Sequence, residues 1–521
     1  MPDDTKLDSW TILIYFAADN NLSEEMIWAL KDIQEGRDRM PGYKGKVNLM
    51  CLLDAGGPPI LVNFNNLKRD QVSNNPALAS APQAHQFLTL QQKTLRQASG
   101  GKFALESVRK TLHDFIEESI GEPTDHYMLI LSGHGSGAVG DFLTGDKRTS
   151  GLTIRALGQT VRQMHEQLEK RGRKLDILGM DSCQMTMAEV AYEVQGAVDL
   201  MVGSEGFALN TGWPYLRVFA MLADPQNAND PAKFAENIVR VHIGYYLDFA
   251  SVDLSTDISA LQPRNYFGSV VKGINQFTTA LGIKKETKDA KEARRKLDPI
   301  SLSKKLDELV DGTELADPDL CDAIVLAHRE AQGYKRDQHA DLWDFCDRLS
   351  DRLTNRNSDK YGKIVAACIA IRDAIDPLNG KQGEGVVLRS GYSGAAFQYS
   401  NGLSIFFPWA SLTDAAGTPD LDHYGVLGFA RDTAWDEFLR VYLHATKRKP
   451  RERNTEGNLL TSMLNRRSTL FTGEPGAKDS EVDPVQRDSE VDPVQRTSLV
   501  TARIESMKNP PTDWKQCKLD E

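Results

Sequence analysis

The chain is short of several things, and each shortage removes a class of protein. It has 6 cysteines in 521 residues, at 51, 183, 321, 346, 368 and 517. None forms a C-x-x-C pair or a Cys/His cluster with zinc spacing, so neither a disulfide framework nor a zinc module is indicated. No apolar run reaches 18 residues, which leaves no helical membrane span. The opening Met1 to Ser9 is acidic and polar, unlike a secretory leader. No calcium-loop pattern of the EF-hand kind is present. Basic charge is also in deficit: the net charge of −11 argues against nucleic acid as the main partner. A cytoplasmic location with reduced thiols is the expectation, secretion being the alternative if the sequence starts at a mature N-terminus. At 40% hydrophobic residues the chain can fill a core over most of its length.

What is present is organised around Asp181-Ser182-Cys183-Gln184-Met185. The stretch follows the apolar run Leu175 to Met180 and precedes a segment in which Val190 and Val194 share a helical face. Strand, sharp turn and helix are therefore expected, with a helix N-terminus beside the thiol to favour its ionised form. The competing reading is a buried small hydrophobe, the usual fate of cysteine. Upstream, His126 to Leu131 reads as another buried strand, and it runs into Ser132-Gly133-His134-Gly135. Flanking glycines leave such an imidazole uncovered, which a core histidine does not need. In an α/β order of alternating strands and helices, ligands bind beyond the carboxyl ends of the strands. His134 and Cys183 both fall there, about 50 residues apart, a spacing known from caspase-type proteases.

These two segments resemble the catalytic His and Cys motifs of the clostripain family of cysteine peptidases, in the caspase-like clan. The resemblance extends to Trp10-Thr11-Ile12-Leu13-Ile14-Tyr15-Phe16-Ala17 with Ala18-Asp19-Asn20-Asn21-Leu22 behind it. It also takes in Ser400 to Pro408 and Trp435 to Leu439, so it runs from about residue 10 to about 445. It implies a caspase-like, doubly wound, mostly parallel sheet flanked by helices. On that basis residues 1–262 form the peptidase core and 263–445 an accessory region completing the fold. Residues 446–521 form a polar tail, expected to be disordered. Within the later part, 385–388 and 403–407 read as a hairpin, and 215–300 as mostly helical.

The chemistry expected is amide hydrolysis through an acyl-enzyme. Cys183 attacks, His134 moves the proton, and the backbone N–H groups of Gly135 and Cys183 form the oxyanion hole. No metal is needed for these steps, although the family resemblance leaves calcium open as a structural activator. In clostripain-like enzymes an acid two residues before the nucleophile lies in the primary specificity pocket and selects Arg or Lys. Here that acid is Asp181, for which a helix N-cap is the bland alternative. Glu205, at the next strand end, is a candidate for a second charge in the pocket, and the loop 210–214 for its wall. The partner so implied is a protein or peptide with a basic residue before the scissile bond.

Two internal segments are candidate substrates for the enzyme itself. The loop 141–151 offers Lys147 and Arg148, and is otherwise a solvated surface loop. The tail carries a nine-residue duplication, Asp479 to Arg487 repeated as Asp488 to Arg496, whose arginines end each copy. Its plain reading is a neutral expansion in a linker. Self-cleavage at Lys147, Arg148, Arg487 or Arg496 would place control within the chain, with limited proteolysis of a partner in stress or defence as the output by analogy. Two other readings stay open: a transpeptidase-type cysteine acyltransferase, and a catalytically silent scaffold on the same fold.

Overall fold

Trp10–Ala17 carries large apolar side chains along both of its faces, so it belongs where a sheet is covered on both sides. In the computed structural model it is strand β1, and all 8 of its residues are buried. Leu13, Tyr15 and Ala17 enter one core, and Ile12, Ile14 and Phe16 the other, as the two-residue strand period requires. The structure describes residues 7–38, 46–55, 59–65, 107–140, 142–145, 151–247, 255–334, 338–376, 384–408 and 424–448. The tail and its repeat lie outside these.

Five further strands build the first part of the sheet: β2 (Val47–Asp54), β3 (Ile60–Asn63), β4 (His126–Ser132), β5 (Leu175–Asp181) and β6 (Val198–Gly203). β2, β1, β4, β5 and β6 run parallel, and β3 folds back antiparallel on β2. Helix α1 (Ser23–Asp38) covers one face. Helices α2 (Val108–Ser119), α3 (Ile154–Glu169) and α4 (Ala188–Val194) cover the other. This is the mostly parallel, doubly wound sheet flanked by helices that the sequence leads one to expect. The parallel strands all end at one edge, where Ala17, Ser132, Asp181 and Gly203 lie.

Later parts of the chain add to this sheet. β7 (Thr256–Leu261) lies antiparallel to β6. Two short strands, β8 (Gly333–Tyr334) and β9 (His339–Asp341), then start a second sheet. β10 (Val387–Ser393) returns to pair with β7, and β11 (Ser404–Phe406) pairs with β9. Among the described residues the order is β10-β7-β6-β5-β4-β1-β2-β3 in the large sheet and β11-β9-β8 in the small one. The hairpin expected from 385–388 and 403–407 is therefore corrected. Both segments are strands, but each finds its partner in a different sheet. Strand β7 also interrupts the stretch read as helical.

A knot of buried carboxyls joins the two sheets. Asp257 on β7 accepts the backbone N–H groups of Glu205 and Gly206, at 2.8 and 2.9 Å. Glu205 accepts Gly402 N at 2.6 Å. Asp341 accepts Asn401 N at 2.5 Å and Asp344 N at 2.7 Å, so it also caps the helix Leu342–Ile375. Burial pushes Asp257 and Asp341 up to about 7. Burial, then the charges of Asp341 and Asp257, push Glu205 well above the usual carboxylate range. Asp344, packed beside Asp341, is also raised by burial.

The sign of the consequence is fixed. Carboxyls raised above their unfolded value of about 4 bind more protons folded than unfolded between about pH 4 and 7. Their contribution is full below that unfolded value and is lost as pH rises through the folded value. Thermal stability is therefore expected to fall as pH climbs from about 5 to about 8. Asp341→Asn keeps the cap and removes one charge, and should flatten that fall by about 1 kcal/mol or more, since one pK unit is worth about 1.4 kcal/mol. Tm measured against pH for both proteins checks this; an equal slope in the variant would contradict it.

Candidate active site

Parallel register decides where the two candidate catalytic residues stand. Ser132 on β4 is paired with Asp181 on β5, and Gly133 N donates to Asp181 O at 3.4 Å. His134 and Cys183 each follow two residues later, from strands about 4.8 Å apart. Past the strand ends the two chains touch. A Cβ added at Gly135 would stand 2.1 Å from Cys183 O. Only glycine lets the histidine loop approach the cysteine backbone this closely. The loop is held from the other side by Leu143 N, which donates to His134 O at 2.9 Å. The imidazole is held as well, its Nε2 lying 2.7 Å from Oδ1 of Asn21.

The cysteine turn is drawn tight by the next strand. Gln184 N donates to Gly206 O at 2.8 Å, and Met185 N and Thr186 N both donate to Ser204 O, at 2.8 and 3.0 Å. Gln184 pays for the turn with φ +60, a left-handed conformation that side chains rarely adopt. This corrects the expected helix N-terminus beside the thiol. Helix α4 starts only at Ala188, and the N–H groups after Cys183 are engaged by carbonyls. Cys183 is half-buried, and Sγ is 3.6 Å from Ala208 O. Cys51, Cys321, Cys346 and Cys368 are all buried, and Cys517 lies outside the described residues. Cys183 is thus the one cysteine among the described residues that solvent reaches, against the reading of it as a small core hydrophobe.

Asp181 closes β5 with its side chain turned inward. Its Oδ2 accepts the Tyr215 hydroxyl at 2.7 Å and the Ser132 hydroxyl at 3.1 Å, and Gly212 lies against it. Burial, and then the Asp181 charge, push the Tyr215 hydroxyl well above its usual range. The helix-cap reading of Asp181 does not survive, because the N-cap of α4 is Met187. Trp213, in the loop proposed as a cleft wall, is 1% exposed and packs across Gly179 as core. Glu205 also needs correction. Its carboxyl is fully buried in the carboxyl knot, bonded to Gly402, and does not reach a surface pocket.

Lys147, Arg148, Arg487 and Arg496 lie outside the described residues. The loop carrying the first two is closed at its base by the pair Phe142–Leu152, with N···O distances of 2.9 and 2.6 Å.

Reading the sequence alone misses three contributors. Asn21, two residues before helix α1, has the local pattern of a helix-start residue. His339 is buried and packs on the histidine loop: a Cβ at Gly137 would lie 2.3 Å from its Cε1. Asp257 carried no local signal at all. Asn21 had one, since it follows the carboxyl end of β1, where site residues gather.

Among the described residues the one group of three converging ligand side chains is His113, Asp114 and Glu117 on α2. It does not fit calcium, which takes 6–8 oxygen ligands, because imidazole supplies one of the three positions. No step below runs through a metal.

A family model described as the Clostripain family matches residues 14–442. No curated protein matches the chain. Among solved structures, the chain is similar to a secreted C11 cysteine protease from Bacteroides thetaiotaomicron bound to an irreversible peptide inhibitor. That likeness is at 14% identity, covers 82% of this chain and 99% of that one, and has a TM-score of 0.49. An inactive zymogen C11 protease from Parabacteroides distasonis is similar at 17% identity, covering 83% and 99%, with a TM-score of 0.45.

The close approach at Gly135 has a direct test. Gly135→Ala must push the histidine loop away from Cys183, and a displacement near 1 Å can cost about 100-fold in rate. Peptidase kcat/KM should fall by about that factor. Gly196→Ala, where an added Cβ meets nothing within 4 Å, should leave it unchanged. Equal activity in both variants would contradict the packing described.

Proposed function

The chain belongs to the clostripain family of cysteine peptidases, and from that premise we propose that it cuts peptide bonds after Arg or Lys with Cys183 and His134. The observation that carries this reading is the pairing of Ser132 with Asp181, which sends His134 and Cys183 from adjacent strand ends into contacting loops.

Each step uses a named group. His134 takes the thiol proton, and Sγ of Cys183 attacks the scissile carbonyl. The oxyanion is received by the backbone N–H groups of Gly135 and Cys183. The proton passes from the imidazole to the leaving amine, which departs and leaves a thioester. Water, deprotonated by His134, attacks the thioester and frees the acid and the thiol.

The basic preference rests on Asp181. It stands two residues before the nucleophile, buried at the end of β5, with Tyr215 and Ser132 fixing one of its oxygens. A carboxylate at a pocket floor pairs with guanidinium or ammonium and gives a neutral side chain nothing in exchange for its own desolvation. Self-cleavage at Lys147 or Arg148 is part of the same reading. The Phe142–Leu152 pair would hold both new ends near the site, because Leu143 N stays on His134 O. The output is limited proteolysis of a protein partner.

Fluorogenic peptides with Arg, Lys, Asp or Leu before the scissile bond test this. Hydrolysis is expected after Arg and Lys and should vanish in Cys183→Ala. Asp181→Asn should lower kcat/KM for the Arg peptide by about 100-fold or more, with far less effect on neutral peptides. Cleavage after Asp or Leu in the wild type would remove the specificity and keep the peptidase. Chelation by EDTA is expected to leave kcat unchanged; loss of kcat restored by calcium would overturn the metal-free steps. Mass spectrometry of the enzyme's own chain, wild type against Cys183→Ala, reads the self-cleavage directly.

A further inference from the structure

We infer that Asn21 is a positioning residue for the peptidase reaction, holding His134 in the one tautomer and orientation in which Nδ1 serves the thiol. The inference rests on the reading of His134 as the general base. It starts from a single contact, His134 Nε2 to Asn21 Oδ1 at 2.7 Å. An amide oxygen only accepts, so the bond requires the proton on Nε2. A neutral imidazole protonated there has its lone pair on Nδ1.

The contact joins two segments that are each fixed independently, which separates it from a chance surface bond. Asn21 follows β1 in a short loop locked by its neighbour. Asn20 Nδ2 donates to Ala17 O and to Thr144 O, both at 2.9 Å, and Asn20 Oδ1 accepts Leu22 N at 2.9 Å. The Ser23 hydroxyl donates to Asn20 O at 3.0 Å and also to Ala18 O. Ala18 N donates to Asp54 O at 2.7 Å, tying the loop to β2. On the other side, His134 is held through its own carbonyl by Leu143 N. Thr144, which receives Asn20, is the next residue. One short network therefore fixes the amide and the ring against each other before a substrate arrives.

The choice of an amide has a chemical consequence. A carboxylate in the same place would stabilise the imidazolium and draw the proton toward the ring. An amide orients the ring at no such cost, so the proton stays ready to pass to the leaving amine. The charge at residue 21 then becomes a dial for the imidazole, and this is what the test reads.

Four proteins are compared by kcat, KM and the pH profile of kcat/KM on one basic peptide: wild type, Asn21→Ala, Asn21→Asp and His134→Ala. Tm is recorded for each. Asn21→Ala frees the ring and should lower kcat about tenfold or more, part of the 10²–10⁴ that positioned acid–base catalysis supplies. KM and Tm should hardly change, because the side chain is exposed. Asn21→Asp restores an acceptor. It should recover kcat relative to Asn21→Ala and move the acidic limb of the profile, where the neutral base is lost, to higher pH. Wild-type kcat and pH limbs in Asn21→Ala would overturn the inference. So would an Asn21→Asp variant whose acidic limb stays in place, since residue 21 would then act through the loop and not through the ring. Failure of the underlying reading looks different: His134→Ala would keep its activity.

Discussion

The register of one pair of parallel strands governs this molecule. Because Ser132 on β4 sits opposite Asp181 on β5, the next residues of both strands leave the sheet at the same level. A slip by one residue would turn every side chain of one strand to the wrong face. Each face buries apolar residues of these strands, so the slip is forbidden energetically. Core packing thereby sets how closely the two candidate catalytic loops approach. The two site loops then need only short extensions to meet, and Gly135 is where they touch.

Holding that meeting point costs energy. Gln184 sits in a left-handed conformation, worth about 1–3 kcal/mol of strain. The three backbone hydrogen bonds from Gln184, Met185 and Thr186 to the 204–206 segment offset it at about 0.5–1.5 kcal/mol each. That segment is itself fixed by Asp257, and the small sheet closes behind it. Ser404 N donates to Thr186 O at 3.1 Å, and the Glu189 carboxyl, pushed up to about 7 by burial, accepts Phe406 N and the Tyr424 hydroxyl. His339 presses on the histidine loop from the same side. Residues beyond 262 thus brace both loops of the site, besides lending β10 to the large sheet.

Much of this was legible because it follows from periodicity and from fold rules. The apolar runs at 10–18, 126–131 and 175–180 are strands, and the glycine-flanked His134 does leave a strand end. What sequence could not reveal depends on partners far along the chain. Nothing near Asp257 says that it will hold Glu205 and Gly206, and nothing near Glu205 says that Gly402 will claim its carboxyl. An acid at a strand end looks the same whether it faces a substrate or a buried backbone. The turn after Cys183 was misread for a related reason. A strand–turn–helix pattern does not state how many residues the turn takes, and here the intervening N–H groups go to the neighbouring strand. The hairpin of 385–407 failed because two strands close in sequence chose different sheets.

The most direct test of this account is to find where a reactive substrate mimic lands. The enzyme is treated with a peptide electrophile carrying Arg next to its warhead, then digested and mapped by mass spectrometry. One adduct per chain is expected, on Cys183, formed far more slowly in His134→Ala and competed away by a basic peptide. An adduct on a different cysteine, or full peptidase activity remaining in Cys183→Ala, would contradict the account.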